Sequence, residues 1–157
     1  DAALATAKKL ESEEDEGIIL ALAGIYAETG DPAHLPFFEQ KFDKVGGYMQ
    51  ITFIEQYVQL ASNADPATMI QVAEKLKQVA VNDGKMFWMR FLSTKGINDL
   101  HAALSAKIEE EKDAAKVTEM KVKDKELVGI IEAIKAWETD ERVKQMYAEF
   151  PNPPLKP

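Results

Sequence analysis

Residues 29–40, "TGDPAHLPFFEQ", and residues 63–75, "NADPATMIQVAEK", carry the same tripeptide, Asp-Pro-Ala, at positions 31–33 and again at 65–67. An aspartate before a proline is a helix start. The carboxylate accepts from free N–H groups of the first turn, and proline fills the one position where a missing N–H costs nothing. The 34-residue offset then sets the register of the whole chain. It pairs Ile19 with Phe53, Leu20 with Ile54, Ala27 with Ala61, Leu35 with Met69, Phe38 with Val72, Lys41 with Lys75, Phe42 with Leu76 and Val45 with Val79. Apolar falls on apolar.

Each copy reads as two helices. "EGIILALAGIYAE" (16–28) places Ile18, Ile19, Leu22, Ile25 and Tyr26 at steps of three and four. Ser12 is the expected cap, with Asp15 three residues on, and the acidic run "ESEEDE" suits the positive end of a helix dipole. Gly30 ends this helix. The helix after it, residues 32–45, presents Leu35, Phe38, Phe42 and Val45 and stops at Gly46-Gly47. The second copy repeats the pattern with Ile51, Phe53, Ile54, Tyr57, Val58 and Leu60, then Met69, Val72, Leu76 and Val79. A third copy sets Phe87, Trp88 and Phe91 at the phase of Phe53, Ile54 and Tyr57, with Asp99 standing for Asp65 but lacking its proline.

A helix pair of this length cannot bury its apolar face alone, so copies must stack, which is the logic of an α-solenoid. The period suggests a tetratricopeptide array, but that motif puts small residues where Phe42, Ile54 and Ala61 stand, and only Ala61 complies. The expected fold is all-α: a HEAT-like α-solenoid of about four antiparallel helix pairs, one domain over residues 1–150, with a proline-rich tail at 151–157. Beyond Asp99, residues 100–126 read as one long helix with a thin stripe of Leu100, Leu104 and Ile108, and six lysines against seven acids from Lys107 to Glu126. Residues 126–138 restore a strong apolar face through Leu127, Ile130, Ile131, Ile134 and Trp137, and "DERVKQMYAEF" (140–150) closes the array. The tail "PNPPLKP" cannot continue a helix.

Composition narrows the function. The chain has 157 residues and no cysteine, which excludes disulfides, thiolate zinc sites and cysteine nucleophiles without choosing between cytoplasm and periplasm. A net charge of −8, with only Arg90 and Arg142 as arginines, argues against a nucleic-acid partner. No apolar run reaches the ~18 residues of a membrane span, and the start is not a signal peptide. Without an initiator methionine, the chain reads as a mature or excised piece of something larger.

No catalytic residue stands out. His34 and His101 are far apart, neither is followed by glutamate, and both read as surface or capping residues; no H-E-x-x-H, glycine-rich phosphate loop or G-x-S-x-G occurs. No metal ligand and no cofactor is expected in this chain. The sharper feature is "KMFWMRFL" (85–92), apolar nearly all round with Arg90 in its middle. A buried arginine needs an acid or a carbonyl. Arg90 is therefore expected either to pair with an acid of a neighbouring helix or, with Trp88, to line a groove that receives a peptide or another domain.

The order of "LALAGIYAETGDPAHLPFFEQKF" (20–42), "GYMQITFIEQYVQLA" (47–61), "DGKMFWMRFLSTKGIND" (83–99) and "RVKQMYAEF" (142–150) resembles the C-terminal helical region of zinc aminopeptidases of the aminopeptidase N family, particularly those of Bacteroidetes-type bacteria. The resemblance spans essentially the whole chain and rests on a pattern of helix pairs. It implies an upstream thermolysin-like domain whose H-E-x-x-H and distant glutamate hold zinc, and a G-x-M-E-N loop that reads the peptide amino terminus. None of these motifs occurs here, so no catalytic residue carries over. What carries over is a role: a non-catalytic domain that packs over the catalytic domain of the parent enzyme and restricts access of the peptide substrate. The alternative is a stand-alone scaffold that binds a peptide or partner protein.

Overall fold

Aspartate side chains cap four of the described α-helices. In the computed structural model, which describes residues 2–148, eight α-helices follow one another: α1 (Ala2–Leu10), α2 (Glu16–Thr29), α3 (Leu35–Lys41), α4 (Met49–Ala61), α5 (Pro66–Ala80), α6 (Phe87–Glu110), α7 (Ala114–Trp137) and α8 (Glu141–Tyr147). No strand occurs among the described residues, and no helix is long and apolar enough to cross a membrane. The expected all-α class holds. Asp15, not Ser12, caps α2, accepting from the Ile18 N–H at 3.1 Å. Asp65, Asp113 and Asp140 cap α5, α7 and α8 in the same way.

The two Asp-Pro-Ala starts give different helices. Asp65 opens a continuous α5, its carboxylate taking both the N–H and the hydroxyl of Thr68 at 3.0 and 2.6 Å, and these bonds hold its pKa below the ordinary value. Asp31 caps only a 3-10 turn, Pro32–His34. The reason is Pro36. It lacks the N–H that would close an α-turn onto the Pro32 carbonyl, so Leu35 closes the tighter turn instead, and the chain restarts as α3. A second 3-10 turn, Phe42–Lys44, follows. The expected helix over 32–45 is thus three short pieces, although Leu35, Phe38, Phe42 and Val45 are all buried as expected.

The chain divides into two compact units, Asp1–Ala64 and Asp65–Pro157. The sequence reading takes residues 1–150 as one array and pairs α4 with α5; the two helices fall in different units. In the first unit α1 packs on α2, and α2 and α3 pack on α4. Its core is aromatic: Phe38 stacks on Tyr57 at 5.4 Å and meets Phe53 at 5.1 Å, and Phe42 packs edge-on to Phe53 at 6.1 Å. The acidic run is tied down locally. Lys41, buried, donates to the Glu13 carbonyl at 2.8 Å, Lys44 pairs with Glu14 at 3.0 Å, and the Glu11 carboxylate accepts the Tyr26 hydroxyl.

In the second unit α5, α6 and α7 pack mutually and α8 lies on α6. Its core is aliphatic, with Met69, Val72, Leu76, Ile97, Leu100, Leu104, Leu127 and Ile134 fully buried. Two boundaries differ from expectation. Asp99 starts no helix, because without a following proline nothing stops α6, and its carboxylate pairs with Lys95 one turn earlier at 2.6 Å. The expected single helix over 100–126 is instead interrupted at Glu111. Asp113 there takes the N–H groups of Ala115 and Lys116, and Glu111 takes those of Lys112 and Asp113. α7 then runs unbroken through Gly129 to Trp137. The proline-rich tail lies outside the described residues.

Three substitutions separate cap, core and surface. Asp65→Ala should cost about 1 kcal/mol, and Phe53→Ala, in the aromatic core, about 3–5 kcal/mol. Trp88→Ala should cost less than about 1.5 kcal/mol, because its ring is 45% exposed. Urea denaturation followed by circular dichroism orders them. A Phe53→Ala protein as stable as the parent would contradict the aromatic core.

Candidate functional site

α6 begins without a side-chain cap, at Met86, so its first turn is positioned from elsewhere. Arg90 supplies the anchor. It is 8% exposed, and its guanidinium forks onto Glu138, Nε to Oε2 at 2.9 Å and Nη2 to Oε1 at 3.3 Å, while Nη1 donates to the Lys85 carbonyl at 2.9 Å. Glu138 is the residue that ends α7. Its Oε1 also accepts the N–H groups of Thr139 and Asp140, each at 2.9 Å, so one carboxylate holds the start of α6 and folds the turn into α8. Of the two readings of Arg90, the structure supplies the acid of a neighbouring helix.

Asp140 stands beside this pair, 3.8 Å from the Arg90 guanidinium. It accepts from the backbone N–H of Arg142 at 3.0 Å and from the Arg142 side chain at 3.0 and 2.6 Å, and that side-chain bond leads in pulling its carboxyl down to about 2. The Arg142 guanidinium in turn lies over the Phe87 ring, 4.7 Å from its centre, a cation–π contact. Phe87 begins a run of ring contacts: Trp88 at 4.9 Å, Phe91 at 6.3 Å from Trp88, and Tyr147 stacked on Phe91 at 6.3 Å. The Thr94 hydroxyl donates to the Arg90 carbonyl at 2.9 Å. Its one proton is then spent, so the Tyr147 hydroxyl is the donor in their 3.0 Å contact. Burial raises the pKa of Tyr147.

Trp88 and Arg90 do not converge. Two residues apart on a helix, they point about 200° from one another, Arg90 into the ion pair and Trp88 outward. Together with Met86, 46% exposed, Trp88 leaves an apolar face uncovered at the start of α6. The nearly all-apolar run is therefore buried on one side only.

The two histidines separate as well. His34 stacks on the Tyr26 ring at 4.3 Å, half-buried, close to the surface reading. His101 does not fit that reading: it is 4% exposed, and its Nδ1 lies 2.6 Å from Oδ1 of Asp124 on α7. A signal for this exists in the sequence. His101 falls four residues after Ile97 and three before Leu104, and Asp124 stands likewise between Met120 and Leu127, so each polar group occupies an apolar-stripe position. Glu138 carried a weaker signal, an acid at the foot of a strongly apolar helix. Among the described residues no group of three or more His, Cys, Asp or Glu side chains could hold a metal ion. An open, mostly polar hollow at the α6–α7 turn is lined by Lys107, Glu110, Glu111, Lys112 and Met120, and burial lowers the pKa of Lys107 there.

Geometry and composition define a class, an all-helical protein whose best-organised cluster is ionic and aromatic and holds no nucleophile paired with a base. Comparison with protein-family models, curated proteins and solved structures gives no match to this chain.

Two measurements test the cluster. Glu138→Leu strands Arg90 and two backbone N–H groups and should cost about 3–5 kcal/mol, whereas Arg90→Met leaves Glu138 its N–H partners and should cost less; the reverse order in urea melts would contradict the hub role of Glu138. Asp140 has a folded-state pKa below its ordinary value of 3.8, so its stabilising contribution is complete above that value and is lost as the pH falls through about 2. Carboxyl-carbon NMR titration should place its midpoint near the lower value, and Arg142→Ala should return it toward the upper one.

Proposed function

We propose that this chain is the non-catalytic, HEAT-like helical-repeat domain of a zinc-dependent aminopeptidase, packing over the catalytic domain and restricting access of peptides whose N-termini the enzyme trims. The observation that carries this reading is the order of the four segments that resemble the family's C-terminal region. Within them Phe38, Phe42, Phe53 and Tyr57 are buried in the first unit and Ile97 in the second. The packing of α2 on α4 in the first unit, and of α5 on both α6 and α7 in the second, is compatible with HEAT-like stacking. Zinc belongs, on this reading, to the catalytic domain of the parent. Such a domain supplies no transition-state charge; it limits entry, excludes water and positions the remote end of a substrate. Of the two residues expected at a binding groove, Trp88 offers a free ring face, and Arg90 is committed to Glu138.

The uncovered Met86–Trp88 face is the observation that favours the second reading, a stand-alone scaffold for a peptide or partner protein. The reading frame of the gene separates the two. An H-E-x-x-H encoded upstream in frame supports the aminopeptidase domain, and a frame with no metallopeptidase overturns it in favour of the scaffold. Purified chain with added zinc should not hydrolyse an amino-acid anilide. Turnover above the buffer rate would sink the non-catalytic reading.

A further inference from the structure

The turn that joins α5 to α6 holds the one place in the sequence where an aspartate or asparagine precedes glycine, Asp83-Gly84. Such a pair carries its own chemistry. The backbone nitrogen of Gly84 can attack Cγ of Asp83, because glycine has no side chain to crowd the approach and leaves the backbone free to turn. A C–N bond forms, a C–O bond breaks, and the hydroxyl departs with the amide proton as water. Water then adds to the main-chain carbonyl of Asp83 in the five-membered imide, its bond to the Gly84 nitrogen breaks, and the chain now runs through Cβ and Cγ. The product is isoaspartate, with a main chain longer by one methylene. No co-reactant but water is needed.

Asp83 and Gly84 are both exposed, and the Asp83 carboxylate meets no hydrogen-bond or ion-pair partner among the described residues. The nitrogen, in contrast, is held. The Gly84 N–H donates to Oδ1 of Asn82 at 3.0 Å, and the Lys85 N–H closes the same turn onto the Asn82 carbonyl at 3.0 Å. Attack requires the Gly84 proton to leave, and a proton kept in a hydrogen bond is harder to remove. We propose that Asp83-Gly84 is a site of isoaspartate formation and that the Asn82 side chain restrains it. The next residue, Lys85, gives its carbonyl to Nη1 of Arg90 at 2.9 Å, so an extra methylene before it pulls on the anchor of α6. Isomerisation thus loosens the ion-pair cluster from a turn outside it. This proposal does not rest on the aminopeptidase reading.

The test ages full-length protein at mildly acidic pH, digests it, and assays the peptide that carries residue 83 with an isoaspartyl carboxyl methyltransferase and labelled S-adenosylmethionine. Asn82→Ala, folded by far-ultraviolet circular dichroism, should form isoaspartate about fivefold faster than the parent, the change that one neutral hydrogen bond is worth. Asn82→Asp keeps an acceptor oxygen and should stay near the parent rate. Asp83→Glu cannot close a five-membered ring and should form none at residue 83. A free peptide of residues 79–88 should react faster than the same segment in the folded parent. Absence of isoaspartate at residue 83 in both Asn82→Ala and the free peptide overturns the site. Equal rates in parent and Asn82→Ala, or in parent and free peptide, overturn the restraint.

Discussion

A first-turn N–H that has lost its helical partner needs an acceptor, and in this chain the acceptor is usually an aspartate. Asp15, Asp31, Asp65, Asp113 and Asp140 each take such a group. Those five fix where α2, α5, α7, α8 and the Pro32–His34 turn begin. The cap says where a helix begins but not how it continues. That depends on the next few residues, as the contrast between Asp31 and Asp65 demonstrates: the same tripeptide opens a three-residue turn when Pro36 follows and a 15-residue helix when it does not.

What was legible in the sequence was the spacing of apolar side chains. Phe38, Phe42, Phe53, Tyr57, Met69, Val72 and Leu76 occupy the positions that helical periodicity gives them, because burial of apolar surface outweighs local preference. Boundaries set by a single polar side chain were harder to read. The mixed-charge stretch continues without change of pattern across Glu111–Asp113, and only the side-chain bonds of Glu111 and Asp113 reveal the break. Grouping was also out of reach, since a 34-residue offset says which segments are alike but not which of them pack together.

For the candidate site, the need for a partner was legible and its identity was not. Arg90 in an apolar run demands an acid, but 48 positions separate it from Glu138, and no local pattern links them. Trp88 misled for a related reason: an apolar run does not say which of its members is left outside. The ion pair also has an unusual economy. Its carboxylate serves an arginine and two backbone amides together, so the desolvation of one acid satisfies the groups of three different residues.

The pairing of His101 with Asp124 bears on a different matter, the register of α6 against α7. Apolar stripes are nearly self-similar, and a slide of one turn, about 5.4 Å, would still set leucine against isoleucine. It would also strand two buried polar groups against hydrocarbon. Each is unfavourable there, and only one alignment brings them within 2.6 Å of each other. The pair therefore acts as a key in a slot: it discriminates against the sliding alternatives more than it strengthens the correct one, much as a single buried asparagine does in a coiled coil.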